Sequence, residues 1–268
     1  MFPILLQIDA FQLGPFTIGP ITIYFLWIFL VIAILVSLMV ISKLYKKRRV
    51  KISFLANHSL LIFMGGLAMS RIIYIIRNFQ SFFQEFSLNN IFQIFAVWDK
   101  GLSIWGAIIG IVATLYWLCR KNEENFMAWM DILMVCLACS MIFSNIGTFL
   151  DGRNYGFPTD VPWGMIMETS QYAIPIHPTQ IYATFYNLII TAILFLIFDR
   201  RKFSDDGKIL FIGTFMYACC RFLEEFFRGD ESNIFLGLRE AQIYALLALF
   251  FSGYFLYKRF KLFTPTTS

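Results

Sequence analysis

Long apolar runs dominate the chain, and short polar segments separate them. About 20 apolar residues in a helix cross the ~30 Å hydrocarbon core of a membrane. The pattern predicts about seven membrane-spanning helices, at approximately residues 19–43, 54–76, 102–119, 127–149, 178–198, 209–227 and 240–257. The predicted fold class is therefore an all-α integral membrane protein, with residues 1–268 in a single polytopic membrane domain.

The polar segments between these runs differ in character. Residues 77–99 mix phenylalanines with Gln and Asn, which is typical of an amphipathic arm lying in the outer membrane interface. Residues 151–176 carry Gly, Pro, Asp and Trp with little periodicity, and they predict a small external head. Residues 1–18 are short and mixed, and we expect them at the outer surface.

Composition and charge agree with a membrane protein. Hydrophobic residues make up 59% of the chain and charged ones 15%, whereas about a quarter of a soluble domain is charged. The net charge of +5 comes from basic residues that follow every second apolar run: Lys43 to Lys51, Arg120 and Lys121, Arg200 to Lys208, and Lys258 to Lys261. Because basic loops stay in the cytoplasm, this pattern predicts a bacterial inner-membrane protein with its N-terminus outside and its C-terminus cytoplasmic. It does not indicate nucleic-acid binding.

Cysteines and histidines give little sign of metal or redox chemistry. All five cysteines fall inside apolar runs, where they are expected to act as small packing residues. The two histidines, His58 and His177, are far apart in sequence, and no cluster of carboxylates accompanies them. We expect no cofactor and no metal site.

The sixth run carries the most informative polar residues. Tyr217, Arg221, Glu225 and Arg228 are separated by four, four and three positions, which places them on one face of a helix. An ionisable residue in mid-membrane costs about 2.5–3.5 kcal/mol, so such residues are candidates for function. The spacing predicts that Arg221 hydrogen-bonds Glu225 and that Tyr217 supports Arg221. The group is interpreted either as a site for an anionic ligand, since arginine recognises phosphate, or as an ion pair that holds the bundle together.

Two further segments concentrate polar residues near the predicted head. Residues 144–156 combine glycines with Asn145, Asp151 and Arg153, and they either line a headgroup pocket or form a loop entering the interface. His177 and Pro178 open the fifth run, where proline suits the first helical position. His177 has either a structural or a catalytic role.

Motifs spread along the chain resemble one known family. They are Gly19-Pro20, Arg71 with Tyr74, Val97-Trp98-Asp99 leading into Gly101 and Ser103, Gly147, Phe149, Gly152, Gly156, His177-Pro178-Thr179-Gln180-Ile181-Tyr182, Tyr217, Arg221, Glu225-Phe226-Phe227-Arg228 and Gln242. In order and spacing these residues resemble the bacterial prolipoprotein diacylglyceryl transferases over nearly the whole chain. That family moves a diacylglyceryl group from phosphatidylglycerol to the lipobox cysteine thiol of a secreted precursor, and glycerol 1-phosphate leaves.

The resemblance, together with the polar residues near the predicted head, gives the expected roles. Tyr217, Arg221 and Glu225 are the expected catalytic residues. The expected lipid and phosphate ligands are Arg221, Arg228, Arg153, Asn145, Gly156 and Arg71, and the residues expected to shape the head are His177, Gln180, Tyr182 and Gln242. The expected partners are phosphatidylglycerol or a similar anionic phospholipid, and a prolipoprotein or a membrane partner.

The chain also departs from the family pattern. Trp105 stands where the family has an essential histidine, and Asn145 stands where it has an arginine. Further departures are Thr148 for Asn, Asp151 and Arg153 for Asn and Glu, Leu26 for Tyr, and Ala183 for an acidic residue. Trp cannot take up a proton and Asn lacks the charged fork of Arg. Arg153, Asp151 and Tyr24 are the candidates to compensate, and Glu225, Asp151 or Tyr217 the alternative bases.

Three functions are therefore open from the sequence. The first is a transferase of this chemistry that uses a glycerophospholipid. The second is a paralogue without catalysis that binds lipid, lipoprotein or a membrane partner. The third is a structural subunit of a larger membrane complex.

Overall fold

The computed structural model describes residues 4–8, 11–13, 16–18, 21–83, 101–199, 206–235 and 237–260. Gly19-Pro20, Val97-Trp98-Asp99 and most of the predicted arm lie outside these residues. Of the arm segment, the structure describes the end of one helix and the short helix that follows it.

Helices make up most of the described chain. They are α1 (Phe25–Leu44), followed by a 3₁₀ turn (Tyr45–Arg48), α2 (Ile52–Arg77), α3 (Phe79–Phe83), α4 (Ile104–Lys121), α5 (Phe126–Leu150), α6 (Thr179–Asp199), α7 (Lys208–Glu224) and α8 (Glu240–Phe260). Five of the described helices are long and apolar enough to cross a membrane: α1 with its 3₁₀ turn, α2, α4, α5 and α6. The described part of the protein is thus an all-α integral membrane architecture.

The two helices nearest the C-terminus, α7 and α8, are less apolar than these five. The α7 helix has 17 residues, and its last turn carries Arg221. The α8 helix has 21 residues but includes Gln242 and charged residues in its first and last turns. The same polar residues that make these helices candidates for function reduce their resemblance to ordinary membrane spans.

The prediction that the first helix starts near residue 19 was wrong, because strands precede it. The strand β1 (Ile4–Ile8) pairs antiparallel with β4 (Ile21–Tyr24), and β2 (Phe11–Leu13) pairs with β3 (Phe16–Ile18). The residues before Phe25 are rich in Ile and Thr, which favour strands. A short apolar run alone does not distinguish strand from helix.

The chain forms two compact units, one of which comprises Tyr45–Trp129. In that unit α2 and α4 pack antiparallel at very short range. A Cβ on Gly106 would lie 2.5 Å from the Met69 carbonyl oxygen and 2.6 Å from Ser70 Cα. The Ser70 hydroxyl donates to the Ser103 carbonyl oxygen at 2.8 Å. Glycine on this face lets the two backbones meet, as in other membrane helix pairs.

The other unit comprises Met1–Leu44 and Met130–Ser268, and it holds α6, α7 and α8 packed side by side. A buried carboxylate sets the start of α7: Asp131 on α5 accepts hydrogen bonds from the Gly207 and Leu210 N–H groups at 3.0 and 2.8 Å. These are N–H groups that a helix leaves without internal partners at its N-terminus. Asp131 therefore fixes α7 along its axis, and with it the charged residues at the far end.

The predicted head, residues 151–176, lies between α5 and α6, and it folds by short backbone bridges. Ile176 bridges both Pro158 and Met165, and Gly156 bridges Arg228 after α7. The head is thereby joined through the main chain to the end of α7.

Candidate functional site

Six charged residues gather where α7 ends, and we call them the arginine cluster. They are Arg221, Arg228, Arg239, Glu224, Glu225 and Asp230. Glu225 is 2% exposed and Glu224 6%. Three positive and three negative side chains thus share a largely buried site, as the cost of burying charge requires.

Arg221 is held by both glutamates. Its Nη1 donates to Glu224 Oε1 at 2.9 Å, and its Nη2 donates to Glu225 Oε1. The predicted contact between Arg221 and Glu225 is confirmed. The Tyr186 hydroxyl donates to the other oxygen of Glu224 at 2.7 Å.

The predicted support of Arg221 by Tyr217 is not seen as a hydrogen bond among the described contacts. Tyr217 instead lies edge-on to the Tyr186 ring, with ring centroids 6.2 Å apart. Tyr217 therefore contacts the ring whose hydroxyl holds Glu224.

Arg228 lies beyond the end of α7, which corrects the prediction that it belongs to the same helix as Arg221, and its guanidinium is 3.8 Å from both Glu224 and Glu225. The helix ends at Glu224, and Glu225 to Phe227 form a turn. Arg228 consequently reaches the head, where its Nη2 donates to Asn154 Oδ1 at 3.0 Å. Its Nε donates to Asp230 at 2.9 Å.

Arg239 was not among the predicted site residues. It ends the short strand β6 (Leu238–Arg239), which pairs with β5 (Ile234–Phe235), and its Nε lies 2.6 Å from Glu225 Oε2. Its Nη2 also donates to Asp230 at 2.9 Å. The one available signal was an arginine directly before an apolar run, and helical spacing does not link such a residue to Arg221.

The arginines of the cluster change the acidity of the Asp230 carboxyl. Burial by itself favours the neutral carboxyl, but the hydrogen bond from Arg228 and the charges of Arg228 and Arg239 outweigh it. The pKa of Asp230 is therefore held below its ordinary value.

Gly156 joins the head to the cluster. Its N–H donates to the His177 carbonyl oxygen at 3.0 Å, and a Cβ there would lie 2.5 Å from that oxygen and 2.7 Å from the Phe227 carbonyl oxygen. Only glycine lets these main chains meet. The sequence placed Gly156 among the lipid ligands, and the contacts described for it are with the backbone.

The three residues considered as compensating lie together at the start of α1. Arg153 Nε is 3.7 Å from Asp151 Oδ2, and the Arg153 guanidinium lies over the Tyr24 ring at 5.8 Å. Asp151 Oδ1 accepts from the Leu26 N–H at 3.3 Å. The next loop residue, Asn154, contacts Arg228, so the same loop reaches both groups.

The residues assigned to the head hold its backbone and side chains in place. The Gln180 amide donates to the Arg153 carbonyl oxygen. Trp163 Nε1 donates to the Tyr182 hydroxyl at 2.8 Å, which lies 3.0 Å from His177 Nδ1. Burial lowers the pKa of His177. Gln242 Oε1 accepts from the Arg239 N–H at 3.0 Å and so positions the start of α8.

A cavity of about 530 Å³ lies beside Trp163, His177 and Tyr182. Its lining is mostly apolar and includes Val161, Trp163, His177, Tyr182, Tyr186, Cys220, Leu223, Glu224 and Phe227. Glu224 thus belongs both to the cavity wall and to the arginine cluster.

Asn145 and Arg71 are not among the described contacts of the cluster. Asn145 lies within α5, where its carbonyl oxygen accepts from the Thr148 hydroxyl at 2.9 Å. Arg71 belongs to the unit of residues 45–129, is 7% exposed and donates to the Gly101 carbonyl oxygen at 2.9 Å. Gly101 has φ +107°, and a Cβ there would collide with Tyr74. Trp105 lies in the first turn of α4 and is 39% exposed.

Comparison with known proteins places the chain in a family. The family model for prolipoprotein diacylglyceryl transferases matches residues 14–258. A phosphatidylglycerol–prolipoprotein diacylglyceryl transferase of Campylobacter lari is 34% identical over 160 residues, which are 59% of this chain and 57% of that protein. One of Clostridium tetani is 27% identical over 215 residues, 79% of this chain and 83% of that protein. With several such relatives the match spans little more than half their length. The chain belongs to the prolipoprotein diacylglyceryl transferase family.

Proposed function

We propose that this protein transfers the diacylglyceryl group of phosphatidylglycerol to the cysteine thiol of a prolipoprotein. The observation that carries the proposal is the buried arginine cluster, which lies where α7 meets the head. Arginine suits a lipid phosphate because its fork donates to two oxygens at once.

The proposed reaction is a displacement at the carbon of the diacylglycerol unit that bears the phosphate. The thiol sulfur forms a bond to that carbon, the carbon–oxygen bond to phosphate breaks, and glycerol 1-phosphate leaves with the bonding electrons. Arg221 and Arg228 bind the phosphate and stabilise the charge on the leaving group. Arg153 adds a cation from the neighbouring loop.

The thiol proton needs an acceptor, and we assign this role to Glu225. Its Oε2 is buried and has no aligned hydrogen bond among the described residues, although Arg239 lies 2.6 Å away. Its Oε1 holds Arg221. Tyr217 lies beside Tyr186 and completes the predicted catalytic group.

We propose seven spans in one membrane domain over residues 1–268, in a bacterial inner membrane, with the N-terminus outside and the C-terminus cytoplasmic. Asp151, at the end of α5, bonds the start of α1, and Asn154 bonds both Thr179 at the start of α6 and Arg228 after α7. Arg239, at the start of α8, bonds the Arg228 carbonyl oxygen. These helices therefore reach the head at alternate ends, which supports a chain that crosses at every helix.

The test uses purified protein in detergent with phosphatidylglycerol and a lipobox peptide. We expect release of glycerol phosphate together with a peptide heavier by one diacylglyceryl group. Arg221→Gln and Glu225→Gln should each lower kcat/KM by about 100-fold or more, as the loss of a phosphate ligand or a base does. Lys258→Gln removes an equal charge near the other end of α8 and serves as the control. Absence of release from the unaltered protein would contradict the proposal.

The replacement of the family histidine by Trp105 favours a second candidate, a paralogue that binds lipid without catalysis. It predicts tight phosphatidylglycerol binding, lost in Arg221→Ala, with no product. A combined Trp105→His, Asn145→Arg and Thr148→Asn variant would then gain transfer. Under the first proposal the unaltered protein is already active.

A further inference from the structure

Arg239 belongs to the arginine cluster but lies on a separate element of the fold from Arg221. It lies in β6, and its main-chain N–H is held by Gln242. Its side chain is 15% exposed, and its Nη1 donates to the Arg228 carbonyl oxygen at 3.0 Å. The guanidinium is thus fixed independently of α7.

Each glutamate that holds Arg221 has a second partner. Glu224 has the Tyr186 hydroxyl at 2.7 Å, and Glu225 has Arg239 Nε at 2.6 Å. Both second partners contact the oxygen that Arg221 does not use. The arrangement leaves each carboxylate with a contact when Arg221 is withdrawn.

Arg221 has five N–H donors, and it uses one on each terminal nitrogen to hold a carboxylate. We take the phosphate to bind bidentately at the edge formed by Nη1 and Nη2, so that it competes with the glutamates for these donors. A buried carboxylate left without a partner is strongly disfavoured, and this cost falls on Glu225, which is 2% exposed.

We propose that Arg239 is a positioning residue that retains Glu225 when the lipid phosphate takes Arg221. This inference rests on the proposed function, because it assumes that Arg221 receives the phosphate of phosphatidylglycerol. Arg239 acts through Glu225 and does not itself contact the lipid. The role belongs to the lipid-bound state.

A purely structural role for Arg239 makes a different prediction. In the lipid-free protein Glu225 keeps Arg221 when Arg239 is lost, so under the proposal the loss of Arg239 costs Glu225 less without lipid than with it. In the lipid-bound protein Glu225 would then have lost both close partners, leaving Arg228 at 3.8 Å. A structural clamp, by contrast, would lower stability equally with and without lipid.

The experiment is a double-mutant cycle on lipid binding. Phosphatidylglycerol is titrated into the full chain in detergent micelles, for the unaltered protein, Arg239→Gln, Glu225→Gln and the double variant. We expect Arg239→Gln to raise the Kd about tenfold and to have an effect below about threefold when Glu225 is already Gln. Arg239→Lys should restore part of the affinity, and Lys258→Gln, the matched charge loss, should bind like the unaltered protein. Phosphatidylglycerol should raise the midpoint of thermal unfolding less in Arg239→Gln than in the unaltered protein.

Four results would overturn the inference while leaving the proposed function standing. They are unchanged binding by Arg239→Gln, an equal loss of affinity in the Glu225→Gln background, an equal loss of thermal stability with and without lipid, and dependence on Arg239 for binding of glycerol 1-phosphate but not of the lipid. If Arg221→Gln binds phosphatidylglycerol as tightly as the unaltered protein, the proposed function itself fails, and this inference fails with it.

Discussion

At the scale of single residues, the arginine cluster combines ion pairs made within α7 with one made from β6. The contact between Arg221 and Glu225 follows from a separation of four along the chain, and Arg228 lies three positions from Glu225 and four from Glu224. Arg239 reaches Glu225 because the chain turns after Glu224 and returns through β6. The placement of Arg239 therefore depends on the fold of the segment after α7, which sequence spacing does not encode.

His177 gives a prediction for pH. Burial disfavours its charged form, so the pKa in the folded protein lies below the ordinary value of 6.5. As the pH falls through this value the unfolded chain takes up the proton first, and stability that is present above pH 6.5 is lost on acidification. We expect thermal stability of the detergent-solubilised protein to fall as the pH is lowered below about 6.5, by less in His177→Gln.

The control for this experiment is the other histidine. His58 lies on α2, where its Nδ1 is 2.8 Å from the Phe54 carbonyl oxygen. His58→Gln should keep the full pH dependence. An unchanged pH dependence in His177→Gln would contradict the assignment to His177.

At the scale of elements, apolar runs located the helices well but not all their ends. The fifth run was predicted at residues 178–198, and the helix is Thr179–Asp199. The first helix starts six residues late, because a strand occupies the start of its run. The first turn of α7 is anchored by Asp131, a residue of another helix, and a local pattern contains no sign of that partner.

Glycines on the helices give a prediction at this scale. Gly106→Ala places a Cβ against the Met69 and Ser70 backbone at 2.5 and 2.6 Å, so α2 and α4 must separate. We expect a loss of about 1–3 kcal/mol in stability, seen as a lower midpoint of thermal unfolding in detergent.

The matched control is Gly253→Ala on α8. There a Cβ would meet Phe215 at 3.6 Å, which is ordinary contact. Alanine also favours the helix over glycine by about 1 kcal/mol, so stability should be equal or higher. Equal losses in both variants would show that close backbone approach at Gly106 is not the cause.

At the scale of the whole molecule, the number of spans decides the orientation of the site. If α7 and α8 cross the membrane, the segment between them lies outside, with the head. If only the five helices that are both long and apolar enough cross, that segment lies in the cytoplasm. Ser232 is exposed in this segment and serves as a reporter.

We expect Ser232→Cys to react with a membrane-impermeant maleimide added to intact cells, in a background without the five native cysteines. Glu123→Cys, exposed in the turn between α4 and α5, should stay protected until the membrane is opened. Protection of Ser232→Cys in intact cells would show that fewer than seven helices cross the membrane.

Sequence patterns were enough to predict a membrane environment, the fold class and the family. These follow from the length of apolar runs, the alternation of basic segments and ordered motifs, all of which are local or additive along the chain. Which charged and polar side chains come into contact across the site depends on the tertiary fold. Arg239 is 14 positions from Glu225 and Asn154 is 74 from Arg228, yet each pair is in contact. A buried charge must find its partner in space, and the fold determines which partners are within reach.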